Sequence, residues 1–293
     1  MKNLNKIILF ITSLMAFIAS CTKNADNIPL PNSDAKLVVG CFISPQDSFI
    51  VVTLTRSNPI FGKSQNYSSQ PTDATVIISS GSSSMKIPYN GSTGYELAAS
   101  LFPIIAGTNY QLKISTPQNE MVTANCTVPI SAIPSFQIQE DSINLTVNIK
   151  WQDIPNQANY YKVMGYQFKK NRFQTGRQDT LYDLTHNEVM YGGSKRNTLN
   201  LINDQDKDGG QFKVEFKVAS FLYYPDPSNS FIRGFDFCLM NLSHELYTYI
   251  YSLDNAYNDG NPFSEPSPVY SNINGGLGIF AAFQRTYIKT RKN

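Results

Sequence analysis

The residues with the clearest chemical pattern are Asp204-Gln205-Asp206-Lys207-Asp208-Gly209, followed by Glu215. Three carboxylates at alternate positions can converge on a hard cation, and a glycine after them allows the sharp turn such a loop needs. The spacing fits the calcium-loop pattern D-x-[DN]-x-[DN]-G-x5-E. Its surroundings fit less well. Gln211 stands at the eighth position, where an apolar residue is usual, no helical period precedes Asp204, and Glu215 falls on an alternating strand. The pattern therefore reads as a β-loop with Asp204, Asp206 and Asp208 as calcium candidates, set beside an ordinary solvated acidic turn. No other cofactor is expected.

Catalytic groups are sparse. The two histidines, His186 and His244, stand in neither HExxH nor another nucleophile or metal motif. Asn274-Gly275-Gly276-Leu277-Gly278 is glycine-rich but has no lysine partner, so it is not a phosphate loop. Cys41, Cys126 and Cys238 form no CxxC or Cys/His cluster, which sets zinc aside. A Cys41–Cys126 bond between neighbouring strands and a pair of unbonded buried thiols both stay open. The chain reads as a binding protein, not an enzyme. Its candidate contact surfaces are two tyrosine-rich loops, Phe173–Tyr191 and Phe221–Phe235, with Tyr191, Tyr223 and Tyr224 as binding candidates, because tyrosine gives large contact area with few rotors.

The elements that must position these groups are mostly strands. Leu37–Ile43, Phe49–Thr55, Thr75–Ser79, Ser84–Pro88, Tyr95–Ala98, Tyr110–Ser115 and Met121–Val128 are apolar or β-branched runs separated by turn residues. Such even spacing predicts an immunoglobulin-like sandwich over residues 36–130. Tyr110 to Asn125 reads as a hairpin with Tyr110, Leu112 and Ile114 on one face. Two prolines between Val128 and Pro134 mark a junction. Beyond it Ile143, Leu145, Val147, Ile149 and Trp151 alternate with polar residues, and Tyr160–Tyr166 follows a proline turn. This predicts a second, fibronectin type III-like sandwich over 135–293. Phe212, Val214, Phe216 and Val218 add another alternating strand. One helix is predicted near 243–257: Ser243 caps it, Glu245 favours its N-terminal end, and Leu242 with Tyr247 staples its start. Leu246, Ile250, Leu253 and Tyr257 then recur at helical spacing and read as core packing.

The first 35 residues concern address, not fold. Lys2 and Lys6 precede an apolar run from Ile7 to Ile18, too short for a membrane-spanning helix. Ile18-Ala19-Ser20-Cys21 matches a bacterial lipobox, in which the cysteine sulfur receives diacylglycerol. Residues 1–20 are thus expected to be a lipoprotein signal peptide and Cys21 the lipidated first residue of the mature protein, held by three acyl chains. Residues 21–35 are polar and proline-bearing and read as a flexible tether. The whole chain, 293 residues with 16% charged residues and a net charge of only +2, has no long basic run, so nucleic acid is not an expected partner.

Taken with the lipobox, several blocks resemble the Bacteroidota lipoproteins grouped as domain of unknown function 4249. They are Leu37-Val38-Val39-Gly40, Val51–Thr55, Asp73-Ala74-Thr75-Val76, Ala106–Leu112 and Val122-Thr123-Ala124 leading to Val128-Pro129. The most specific are Asn261–Pro266 and Ser271–Phe280, which follow the predicted helix. The resemblance covers nearly all of the expected mature chain and carries no catalytic residues. It implies an outer-membrane lipoprotein, often encoded beside a TonB-dependent receptor, and so an accessory role in nutrient uptake. A surface adhesin or glycan-binding lipoprotein working without a transporter is the alternative, and a hydrolase the least favoured. Whether the protein faces the periplasm or the cell exterior stays open at this stage.

Overall fold

The computed structural model describes residues 35–58, 70–130, 136–141, 146–171, 180–183, 201–217, 230–258 and 267–291. These all fall within one compact unit, Ala35–Asn58 with Gln65–Asn293. The chain is mainly β.

In the first half, strict alternation sends every second side chain into one core. β1 (Leu37–Ile43) buries Leu37, Val39, Cys41 and Ile43, and β2 (Phe49–Arg56) buries Ile50, Val52 and Leu54. β3 (Thr75–Ser80), β4 (Ser83–Ile87) and β5 (Tyr95–Ala98) follow, then the hairpin of β6 (Asn109–Ser115) and β7 (Met121–Thr127). The β4-β3-β6-β7 sheet packs its Val76, Ile78, Leu112 and Ile114 against β1, β2 and β5 in a single apolar cluster. As expected, Tyr110, Leu112 and Ile114 are the buried face of the hairpin. Two buried tyrosines also pin loops. The Tyr110 hydroxyl donates to the Pro103 carbonyl (3.2 Å) and accepts from the Ile105 amide (2.7 Å). Tyr95 does the same between Pro71 (2.7 Å) and Ala74 (2.9 Å). Neither tyrosine leaves its polar atom unpaired in the core.

The second half builds a three-stranded sheet from β8 (Phe136–Asp141), β9 (Thr146–Gln152) and β13 (Gln211–Lys217), ordered β13-β9-β8. It also extends a long sheet through β10 (Tyr160–Asn171), β11 (Thr180–Asp183), β12 (Leu201–Asn203), β14 (Ser230–Leu242) and β15 (Leu277–Arg291). Trp151 of β9 stacks on Phe212 of β13 at 5.5 Å and meets Tyr161 of β10 edge-on at 5.5 Å, which joins the two sheets through one aromatic core. The long sheet runs β11-β10-β14-β15-β1-β2-β5, with β12 also on β10. Its pairs are antiparallel except β15 on β1, where Leu277–Ala282 lie parallel to Val38–Ile43. The expected boundary near 130–135 is therefore bridged: β15 pairs β1 with its first half and β14 with its second.

That parallel contact explains the glycine-rich segment. Asn272 accepts from the Phe280 amide (2.9 Å) and donates to the carbonyls of Phe280 (2.7 Å) and Asn125 (3.1 Å). Gly275 and Gly278 have positive φ, and a Cβ on Gly278 would collide with the Val39 carbonyl. The backbones approach closely only because these side chains are missing.

The helix α1 (His244–Asn258) lies on the other face of β15. Ser243 caps it through its hydroxyl and the Leu246 amide (3.4 Å), and Glu245 sits in the first turn, as expected. Leu246 packs with Leu242, Ile279 and Ala281, joined by Tyr247 and Ile250. Ile279 and Ala281 thus face the helix while Phe280 and Ala282 face the sandwich core. Two expectations change. The loops Phe173–Tyr191 and Phe221–Phe235 are not loops throughout, because residues 180–183 are β11 and β14 starts at Ser230. Among the described residues, no helix is long and apolar enough to cross a membrane.

Candidate functional site

The acidic loop connects β12 to β13, so strands flank it on both sides, as its sequence surroundings suggested. It turns twice: the Asp204 carbonyl accepts from the Lys207 amide (2.7 Å), and the Lys207 carbonyl from the Gly210 amide (2.8 Å). Gly209 holds φ +67°, a conformation that favours glycine. Against it lies the β9–β10 turn, residues 153–159, where Asn156 holds φ +66°.

The structure brings Asp204 and Asp208 together and adds Asp153, with one carboxylate oxygen from each lying within 4.8 Å of the others. Asp206 is exposed and lies outside this group. Asp153 and Asp204 are buried, and Asp208 is exposed. All three carboxylates reach across between the loops. Asp153 accepts from the Tyr161 hydroxyl (2.6 Å) and from the Gly209 amide (2.8 Å). Asp204 accepts from the backbone (2.8 Å) and side-chain (3.2 Å) N–H groups of Asn159. Asp208 accepts from the Asn156 amide (2.9 Å). Burial, then the bond to Asp153, pushes the Tyr161 phenol up, so it stays protonated and donating at any ordinary pH.

Asp153, Asp204 and Asp208 are the residues that could hold a hard cation. The burial of Asp153 and Asp204 needs none to explain it, because N–H and O–H donors solvate both carboxylates where water is excluded. Chemically the arrangement is a two-way clasp between turns. Asp153 closes the acidic loop, while Asp204 and Asp208 close the other. Sequence reasoning missed Asp153, Asn159 and Tyr161, since only the chain's tertiary pairing sets them beside Asp204. The one local hint is the strand-ending Trp151-Gln152-Asp153 before Pro155.

The other candidates separate. His244 is the first residue of α1, exposed, with its ring 5.4 Å from that of Tyr160. Cys41, Cys126 and Cys238 are free and buried, so the unbonded alternative is the one this structure holds. Burial raises the Cys41 thiol to about 12 and the Cys238 thiol to about 11, which makes them poor nucleophiles. His186, Tyr191, Tyr223, Tyr224, Cys21 and Asn261–Pro266 lie outside the described residues.

Fold and site together define a mainly β protein of several sheets, with a helix laid on the longest and a carboxylate clasp tying two of its turns. The chain belongs to the family described as Domain of unknown function (DUF4249), whose model matches residues 26–289. No curated protein matches it.

Proposed function

We propose that this is a lipid-anchored outer-membrane protein that serves a TonB-dependent nutrient uptake system as a non-enzymatic accessory, holding a nutrient or clamping the receptor. One observation carries the anchor: Cys21 ends a short apolar run behind Lys2 and Lys6, in Ile18-Ala19-Ser20-Cys21. In the lipoprotein pathway the Cys21 sulfur forms a thioether with diacylglycerol, the bond before Cys21 is cut, and the freed amine is acylated. Three acyl chains hold a protein far more firmly than the marginal binding of one. The polar segment 22–35 then serves as a spacer between bilayer and body.

The receptor partnership rests on the resemblance to Bacteroidota lipoproteins and on a body whose buried acids are spent on joining turns. Binding is its work in this reading. The test is purification of the full lipoprotein from gently solubilised native outer membranes, with identification of what accompanies it. A TonB-dependent receptor at near-stoichiometric yield, lost from a Cys21→Ser control, is the expected result. A lipoprotein that comes out alone across several mild detergents contradicts the partnership.

A further inference from the structure

At the junction of β10 and α1, Tyr160 and Tyr247 pack one side against the core under the helix and leave the rest to solvent, and Tyr251 continues the row outward. Tyr247 lies 4.8 Å from Tyr160, with their planes tilted by 35°, and 6.5 Å from Tyr251, with planes within 7° of parallel. Tyr251 is 53% exposed and Tyr160 and Tyr247 are partly so. Three phenols therefore follow one another from β10 along the helix as an open strip. His244 flanks one end, edge-on to Tyr160.

The polar atoms beside the strip are ordered. Asn203, at the end of β12, donates its side-chain amide to the Tyr247 hydroxyl at 3.1 Å. A phenol that accepts in this way still has its own proton to donate, and that proton turns away from Asn203. Burial, and then the nearby carboxylates of Asp204 and Glu245, push the Tyr160 phenol up, so acids stand close to this end of the strip. An anionic ligand would be repelled. A quaternary ammonium needs rings that wall it in from several sides, whereas Tyr160, Tyr247 and Tyr251 follow one another in a row, the last two near parallel and the first tilted by 35°, and form no box. What fits is a neutral molecule with flat C–H faces to lie on the rings and hydroxyls to meet the phenols.

We propose that Tyr160, Tyr247 and Tyr251 form a stacking platform for a neutral saccharide chain. The platform stands independently of the lipid anchor and of any receptor, so failure of either leaves this proposal untouched, and the reverse. The test is isothermal titration of the full chain, in a detergent without a sugar headgroup, with neutral hexasaccharides of glucose, xylose and mannose and with choline. One hexasaccharide is expected to bind. Tyr251→Ala is expected to weaken it about tenfold or more, and Tyr251→Phe, which keeps the ring, by less than about threefold. Tyr247→Phe should weaken binding by removing the donated proton. Because Tyr251 is mostly exposed, its variants should keep the wild-type circular dichroism and melting temperature. Three results would overturn the platform: no hexasaccharide binding, binding that Tyr251→Ala and Tyr247→Ala leave unchanged, or binding of choline alone.

Discussion

Asp153 reaches across 56 positions to the Gly209 amide, and its other oxygen accepts the hydrogen bond of the buried Tyr161 hydroxyl. Removing it strands a fully buried phenol and a part-buried amide. Asp153→Ala should therefore destabilise the protein by about 2–4 kcal/mol in urea unfolding, while Asp206→Ala, outside the clasp, should stay within about 0.5 kcal/mol. Equal effects would mean that the clasp does not organise these turns. Millimolar calcium should leave the melting temperature of the wild-type chain where it is, because N–H donors already fill the role of a cation. A calcium-dependent rise that Asp153→Ala abolishes would instead make the cluster a metal centre. The buried thiols give a second check. Cys41 has a folded pKa of about 12 against an ordinary 9.0. The unfolded chain thus loses its proton first, and stability should fall as pH rises from about 9 toward 12. A Cys41→Ala variant should lose less stability over that interval.

Elements carry the next scale. Gly278 stands where β15 runs beside β1, and its φ of +109° and the nearby Val39 carbonyl exclude a side chain. Gly278→Ala should cost more than about 3 kcal/mol or prevent folding, far beyond the effect of Gly81→Ala, whose added Cβ meets nothing within 4 Å. A second tie is the Arg56–Glu120 pair, bonded at 2.7 and 2.5 Å between β2 and the start of β7. The Arg56 guanidinium holds Glu120 below the usual carboxylate range. Its contribution is present at neutral pH and lost as pH falls through that lowered value, so the stability gap between wild type and Glu120→Gln should close in acid. Strands β1 to β7 and α1 were legible almost to the residue, because period 2, period 3.6 and capping chemistry are local signals. β8, β11, β12, β14 and β15 were not, nor was the β1–β15 pairing. A strand's partner is chosen by packing across the whole chain, which no window of alternation contains. The acidic loop was legible for the same local reason, and its true third member, Asp153, was hidden for the non-local one.

At the largest scale, the last described strand, β15, returns to pair with the first, β1. β1 is thereby held on both edges, between β2 and β15. The proposed function stands first on a lipid at Cys21. The most direct measurement is mass spectrometry of the N-terminal tryptic peptide from native outer membranes. The expected peptide is Cys21-Thr22-Lys23 bearing a diacylglyceryl thioether and an acylated amine, with Cys21→Ser retaining its first 20 residues. A protein that begins elsewhere, or carries Cys21 as an unmodified thiol, would contradict it.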